Sequence, residues 1–93
     1  MEPILGLPIT LPPTGSRALL RALFGQLRSA ILDGRLAPGL RLPASRQLAL
    51  SLGIARNTAM AAYDLLTGEG YLVARPGGGT FVSDRLPRGR ATR

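Results

Sequence analysis

Arg56, Asn57 and Thr58 open the polar end of the stretch GIARNTAMAAYDLL, residues 53–66. An arginine forks onto guanine O6 and N7, an asparagine bridges adenine N6 and N7, and a threonine reaches a phosphate oxygen or a thymine methyl. Further on, RPGGGT sets Arg75 and Thr80 around Gly77, Gly78 and Gly79. Backbone without Cβ atoms comes close to a sugar-phosphate chain. The chemistry on offer is hydrogen bonding to nucleic acid. Each residue also has a plainer reading: a solvated first helical turn, a tight turn, a solvated strand arginine.

Other chemistries are poorly served. The chain has neither cysteine nor histidine, which removes disulfides, thiolate nucleophiles, imidazole bases and the usual zinc ligands. All 12 of its Lys+Arg residues are arginine, so there is no lysine for Schiff-base chemistry. For the same reason the triple glycine is not a phosphate loop, which needs a lysine after its glycines. The carboxylates Glu2, Asp33, Asp64, Glu69 and Asp84 are scattered, with no pair placed for acid–base work. The expectation is a protein that is not an enzyme and holds no metal.

Charge points the same way as the polar turn. Against 5 Asp+Glu, the arginines leave a net charge of +7 and a pI near 11.7. Such a balance attracts polyanions through its long-range field. Arginine suits bidentate contacts to phosphate and guanine, although genomic base composition also produces all-arginine usage. At 93 residues the chain has room for one modest core. The N-terminus lacks a basic signal-peptide start, and no apolar run reaches the roughly 18 residues of a membrane span. A cytoplasmic protein with no membrane partner is expected.

The elements that must carry these residues follow from periodicity. Residues 1–15 read as an extended arm, with Leu5, Leu7, Ile9 and Leu11 alternating and Pro8 limiting them to an edge. Ser16 is placed to cap a helix over about 17–33, whose stripe is Leu20, Leu23, Phe24, Leu27, Ala30 and Ile31. Gly25 lies inside that helix and costs about 1 kcal/mol relative to alanine; Gly34 stops it. Pro38-Gly39 predicts a type II turn, and Leu40-Arg41-Leu42 a very short strand ended by Pro43.

A second helix over about 45–52 buries Leu48, Ala49 and Leu52, and Gly53 closes it. The third runs from Arg56 to about Gly68, giving a helix-turn-helix. Leu72–Arg75 and Thr80–Ser83 then read as strands of a hairpin with a bare glycine tip. Residues 85–93 form a basic tail, the start of a linker. The fold class expected is mainly α, three helices plus a two-stranded wing, over residues 16–84.

With these elements in place, GRLAPGLRLPASRQLALSLGIARNTAMAAYDLLTGEGYLVARPGGGTFVS resembles the winged helix-turn-helix of GntR-type bacterial transcription factors. ARNTAMAAYDLL with EGYL and RPGGGTFV is most similar to the MocR branch, which includes the PdxR-like and GabR-like regulators. The resemblance covers roughly residues 16–83. It implies that Arg46, Arg56, Asn57 and Thr58 contact double-stranded DNA, with Arg41 on a phosphate. It implies too that Gly77 to Thr80 approach the minor groove or the backbone. Ser45 and Arg75 join this candidate set.

Two departures stand out. MocR-like sequences commonly have serine where this chain has Ala44 and Ala55, at the N-caps of the second and third helices; Ser45 is the stand-in at the first. Met60 occupies an outward position where some GntR relatives carry a base-reading arginine. MocR regulators also carry an aminotransferase-like domain that binds pyridoxal phosphate and dimerises. The resemblance therefore implies that cofactor binding and dimerisation lie in a C-terminal domain absent from this sequence, as in a piece of a longer regulator; the alternative is a naturally short protein without an effector domain. No cofactor is expected on this chain. The competing reading is a winged helix used for protein–protein or RNA contact, which would favour apolar residues at positions 56–58.

Overall fold

The computed structural model describes Leu11 and residues 16–84. The expected arm over 1–15, apart from Leu11, and the basic tail over 85–93 lie outside the described residues.

Helix α1 spans Ser16–Leu32, β1 Arg41–Leu42, α2 Ser45–Leu52, α3 Arg56–Gly68, β2 Leu72–Arg75 and β3 Gly79–Val82. The three-four spacing read from the sequence becomes the buried face of α1: Leu23, Leu27, Ala30 and Ile31 are enclosed, with Leu20 and Phe24 half-buried beside them. Ser16 is the first helical residue rather than the cap before it. Helix α3 is the central element, packing on α1, on α2 and on β2. Its Leu66 meets the α1 stripe, Leu36 and Leu48 in one core that Leu72 and Val82 close from the sheet. Each such leucine contributes about 1.5–3 kcal/mol by leaving water.

The short strand joins the wing. Strand β3 lies between β1 and β2, antiparallel to both, with Arg41 opposite Phe81 and Phe81 opposite Val73. The expected two-stranded wing is present, and β1 makes the sheet three-stranded. Alternation sets the faces: Leu72 and Val82 are cross-strand partners on the core side, whereas Arg41, Val73 and Phe81 share the outer side.

Strand β3 begins at Gly79, one residue before the expected start, and ends at Val82 rather than Ser83. The hairpin turn sets this register. Gly78 N–H donates to the Arg75 carbonyl at 2.9 Å, with Pro76 and Gly77 between them and Gly77 at φ 71°, as in a type II turn. Gly79 is thereby brought opposite Arg75. The same chemistry appears at Ala37–Leu40, where Leu40 N–H donates to the Ala37 carbonyl across Pro38-Gly39. Among the described residues, no helix is long and apolar enough to cross a membrane.

Candidate nucleic-acid interface

The geometry of the site begins at Gly53. This residue ends α2 in the left-handed conformation, φ 70° and ψ 34°, where a Cβ is costly. Its N–H and that of Ile54 both turn back to the Ala49 carbonyl. Three residues, Gly53 to Ala55, therefore reverse the chain, and Ile54 tucks against the core. Helix α3 then presents Ala59, Ala62, Tyr63 and Leu66 inward. Arg56 and Asn57 are exposed and Thr58 is half-buried. The polar first turn noticed in the sequence is thus displayed at the free end of a helix whose other face is locked into the core.

That end is electropositive. The first amides of a helix have no intrahelical partner and carry the positive end of its dipole. Ala55 sits in extended cap geometry, φ −67° and ψ 143°, with no side-chain cap bond. Helix α2 starts the same way, on Ala44 at φ −60° and ψ 151°, again with no side-chain cap bond. Ser45, expected as a stand-in cap, is instead the first residue of the helix and does not fill that role. Arg46, on the next position, is exposed.

A groove of about 370 Å³ runs between α3 and the wing. Arg41 and Ser45 line one end, Met60 and Asp64 the helical wall, and Gly79 and Thr80 the wing wall. The fold therefore brings together Arg41 and Ser45 from one stretch of the sequence with Gly79 and Thr80 from another. Arg46, Arg56 and Asn57 are displayed on the two helix starts and do not line the groove, and neither do Arg75, Gly77 and Gly78. Met60 is 40% exposed, so the groove wall next to the helix start offers a flexible apolar side chain.

Two wing arginines are held in place. Arg75 stacks on the Phe81 ring, its guanidinium carbon 4.8 Å from the ring centroid, a cation–π contact worth about 0.5–1 kcal/mol at an exposed site. Arg41 lies across Gly79, close enough that a Cβ there would come within 3.0 Å of its Nε. The glycines of the tip thus serve the wing itself. Gly77 and Gly79 adopt positive φ, and Gly79 also makes room for Arg41. Gly78 has no positive φ and only ordinary contacts around its missing Cβ.

Sequence reasoning passed over Phe81 as a platform and Tyr63 as more than a core residue. The Tyr63 hydroxyl donates to the Pro43 carbonyl at 2.7 Å. The signal was available: a tyrosine on an otherwise aliphatic stripe carries a polar tip that needs a partner when buried. Among the described residues, no three acidic side chains gather where a metal ion would bind.

Known proteins are similar to this chain in sequence and in fold. Residues 19–82 match the family model described as bacterial regulatory proteins, gntR family. The probable rhizopine catabolism regulatory protein MocR of Rhizobium meliloti is 46% identical over 67 residues, covering 72% of this chain and 14% of that protein. The pyridoxine biosynthesis transcriptional regulator PdxR of Corynebacterium glutamicum is 41% identical over 80 residues, 86% of this chain and 18% of that protein. The chain thus spans less than a fifth of the length of these two curated relatives, both of them on the MocR side of the resemblance.

Among solved structures, YtrA from Sulfolobus acidocaldarius, a GntR-family transcription factor, superposes with a TM-score of 0.75 at 27% identity, over 90% of this chain and 88% of that one. The DNA-binding domain of AraR, solved in complex with operator ORE1, gives a TM-score of 0.65 at 28% identity, over 81% and 95% of the two chains. A family match across the three helices and the wing, on a fold shared with such regulators, places this chain in the GntR family of bacterial regulatory proteins.

Proposed function

We propose that this chain is the sequence-reading module of a MocR-type transcriptional regulator, docking α3 in the major groove of double-stranded DNA and the wing on the adjacent backbone or minor groove. The observation that carries the reading is the pair of uncapped, arginine-bearing helix starts, Ala44–Arg46 and Ala55–Asn57, beside an arginine-held wing. In the helix-turn-helix mode the first residues of the second helix contact base edges. Arg56 and Asn57 then read bases, and Thr58 supports them at a phosphate or a thymine methyl. Arg41, Ser45, Arg46, Arg75 and the Gly77–Thr80 tip hold the backbone and fix register.

The chain performs no catalysis, takes no cofactor, and works where DNA is, in the bacterial cytoplasm. Pyridoxal phosphate binding and dimerisation belong to a further domain of the kind the MocR resemblance implies. Two such modules on two half-sites would raise the affinity that one module lacks.

Fluorescence-anisotropy titration against duplex DNA from upstream of the chain's own gene, beside a scrambled duplex at two salt concentrations, tests the reading. Preference for the upstream duplex supports base reading. Equal, steeply salt-dependent binding to both would reduce the module to electrostatic grip. Absence of binding at low salt would instead favour a protein-contact role.

A further inference from the structure

We infer that Tyr63 is a positioning residue for DNA recognition, tying the start of α2 to the middle of α3 so that Arg46 and Arg56 address one duplex in a fixed relation. The inference rests on the docking proposed above and deepens it.

The geometry is specific. Tyr63 is 6% exposed and shares the inward face of α3 with Ala59, Ala62 and Leu66. A phenylalanine would satisfy that packing. The hydroxyl instead crosses to the carbonyl of Pro43, 20 residues away in sequence, at 2.7 Å. Pro43 joins two candidate contact elements: Arg41 lies just before it on β1, and Ala44, Ser45 and Arg46 follow it into α2.

On one side the junction is held by Leu42, buried in the core and paired with Thr80 on β3; on the α2 side it has less to fasten it. Proline offers no N–H to a partner. The α2 cap is an alanine with no side-chain bond, and the helix start is fastened by Leu48 N–H donating to the Ala44 carbonyl. The Tyr63 bond therefore anchors the junction to the same helix that carries Arg56. Burial pushes the phenol pKa up, so the hydroxyl stays a donor at any pH where DNA is bound.

Sites that read a ligand through several side chains need their elements held within about 0.5 Å. Loss of one neutral hydrogen bond at such a hinge corresponds to about a three- to tenfold change in an equilibrium constant. The consequence is felt by Arg46, which follows the junction, more than by Arg56, which stays on the helix that bears Tyr63.

The test is a double-mutant cycle on the full chain. Tyr63→Phe, Arg46→Ala, Arg56→Ala and the pair Tyr63→Phe with Arg46→Ala are titrated at low salt with the upstream duplex. The temperature is one at which circular dichroism shows every variant folded. Tyr63→Phe should weaken binding by about three- to tenfold and add nothing once Arg46 is gone. A purely structural tyrosine would lower the melting temperature and leave the affinity of the folded protein unchanged. That result, or an equal loss with and without Arg46, overturns the inference while the arginine variants still uphold the docking. If neither arginine variant changes binding, the docking and the inference fall together.

Discussion

The guanidinium of Arg41 lies where Gly79 would carry a side chain. A Cβ built on Gly79 meets Nε at 3.0 Å and Nη2 at 3.3 Å. Gly79 is also at φ 99°, so the backbone favours glycine there independently of the Arg41 contact. Arg41 stands opposite Phe81 on the neighbouring strand and reaches diagonally across to the base of the wing tip. A cation from β1 is thereby laid along backbone from β3, at the mouth of the groove.

Gly79→Ala should therefore destabilise the domain by about 1–3 kcal/mol through backbone strain alone and also displace Arg41. Thermal melts of Gly79→Ala in the wild-type and Arg41→Ala backgrounds separate the two terms. A smaller loss in the Arg41→Ala background measures the contact. Identical losses would mean that Arg41 simply swings aside.

Arg56→Ala should cost about 1–3 kcal/mol of DNA affinity and relax discrimination at one base pair. Titrations against a set of duplexes differing at single positions check this. An equal loss on every sequence would reassign Arg56 to the phosphate backbone.

Affinity should fall steeply with salt. With roughly 4–6 phosphates engaged through Arg41, Arg46, Arg75 and the helix starts, the log–log slope should be about −4 to −5. Arg46→Ala should flatten it by about 1. Titrations across a salt series measure both quantities.

Ala55→Ser should stabilise the domain. Ala55 already holds the extended geometry of a cap residue but offers no side-chain oxygen, and supplying one is worth about 0.5–2 kcal/mol. For a domain of this size, each kilocalorie raises the melting temperature by about 4–8 °C. An unchanged or lower melting temperature in Ala55→Ser would count against this account of the cap.

Gly25→Ala should stabilise it as well, by about 1 kcal/mol. A Cβ at Gly25 has nothing within 4 Å, so alanine fits there without a clash. Gly25 has no positive φ either. A destabilised Gly25→Ala, read by the same melts, would show that this open surface is engaged.

Much of the architecture was legible because local rules and the global fold agree here. The stripe of Leu23, Leu27 and Ile31, the stop at Gly53 and the Pro76-Gly77 turn each act within a few residues. Spacing suffices to read such features. The start of β3 was misjudged by one residue because pairing decides it: the turn closes on Gly78, and Gly79 is already opposite Arg75. Ser45 was misjudged because a hydroxyl on the first helical residue is not a hydroxyl on the cap.

By itself the sequence determined the three helices, the wing, the lack of histidine, cysteine and lysine, and a polar, arginine-led start to α3. Those properties follow from composition and short-range periodicity. Only the tertiary structure decided that β1 joins the wing, that Arg75 rests on Phe81, that Arg41 crosses Gly79, and that Tyr63 fastens Pro43 to α3. Each of these joins side chains or strands through space after the chain has turned back on itself. Their partners are selected by the packing of the whole domain, and no local spacing records that choice.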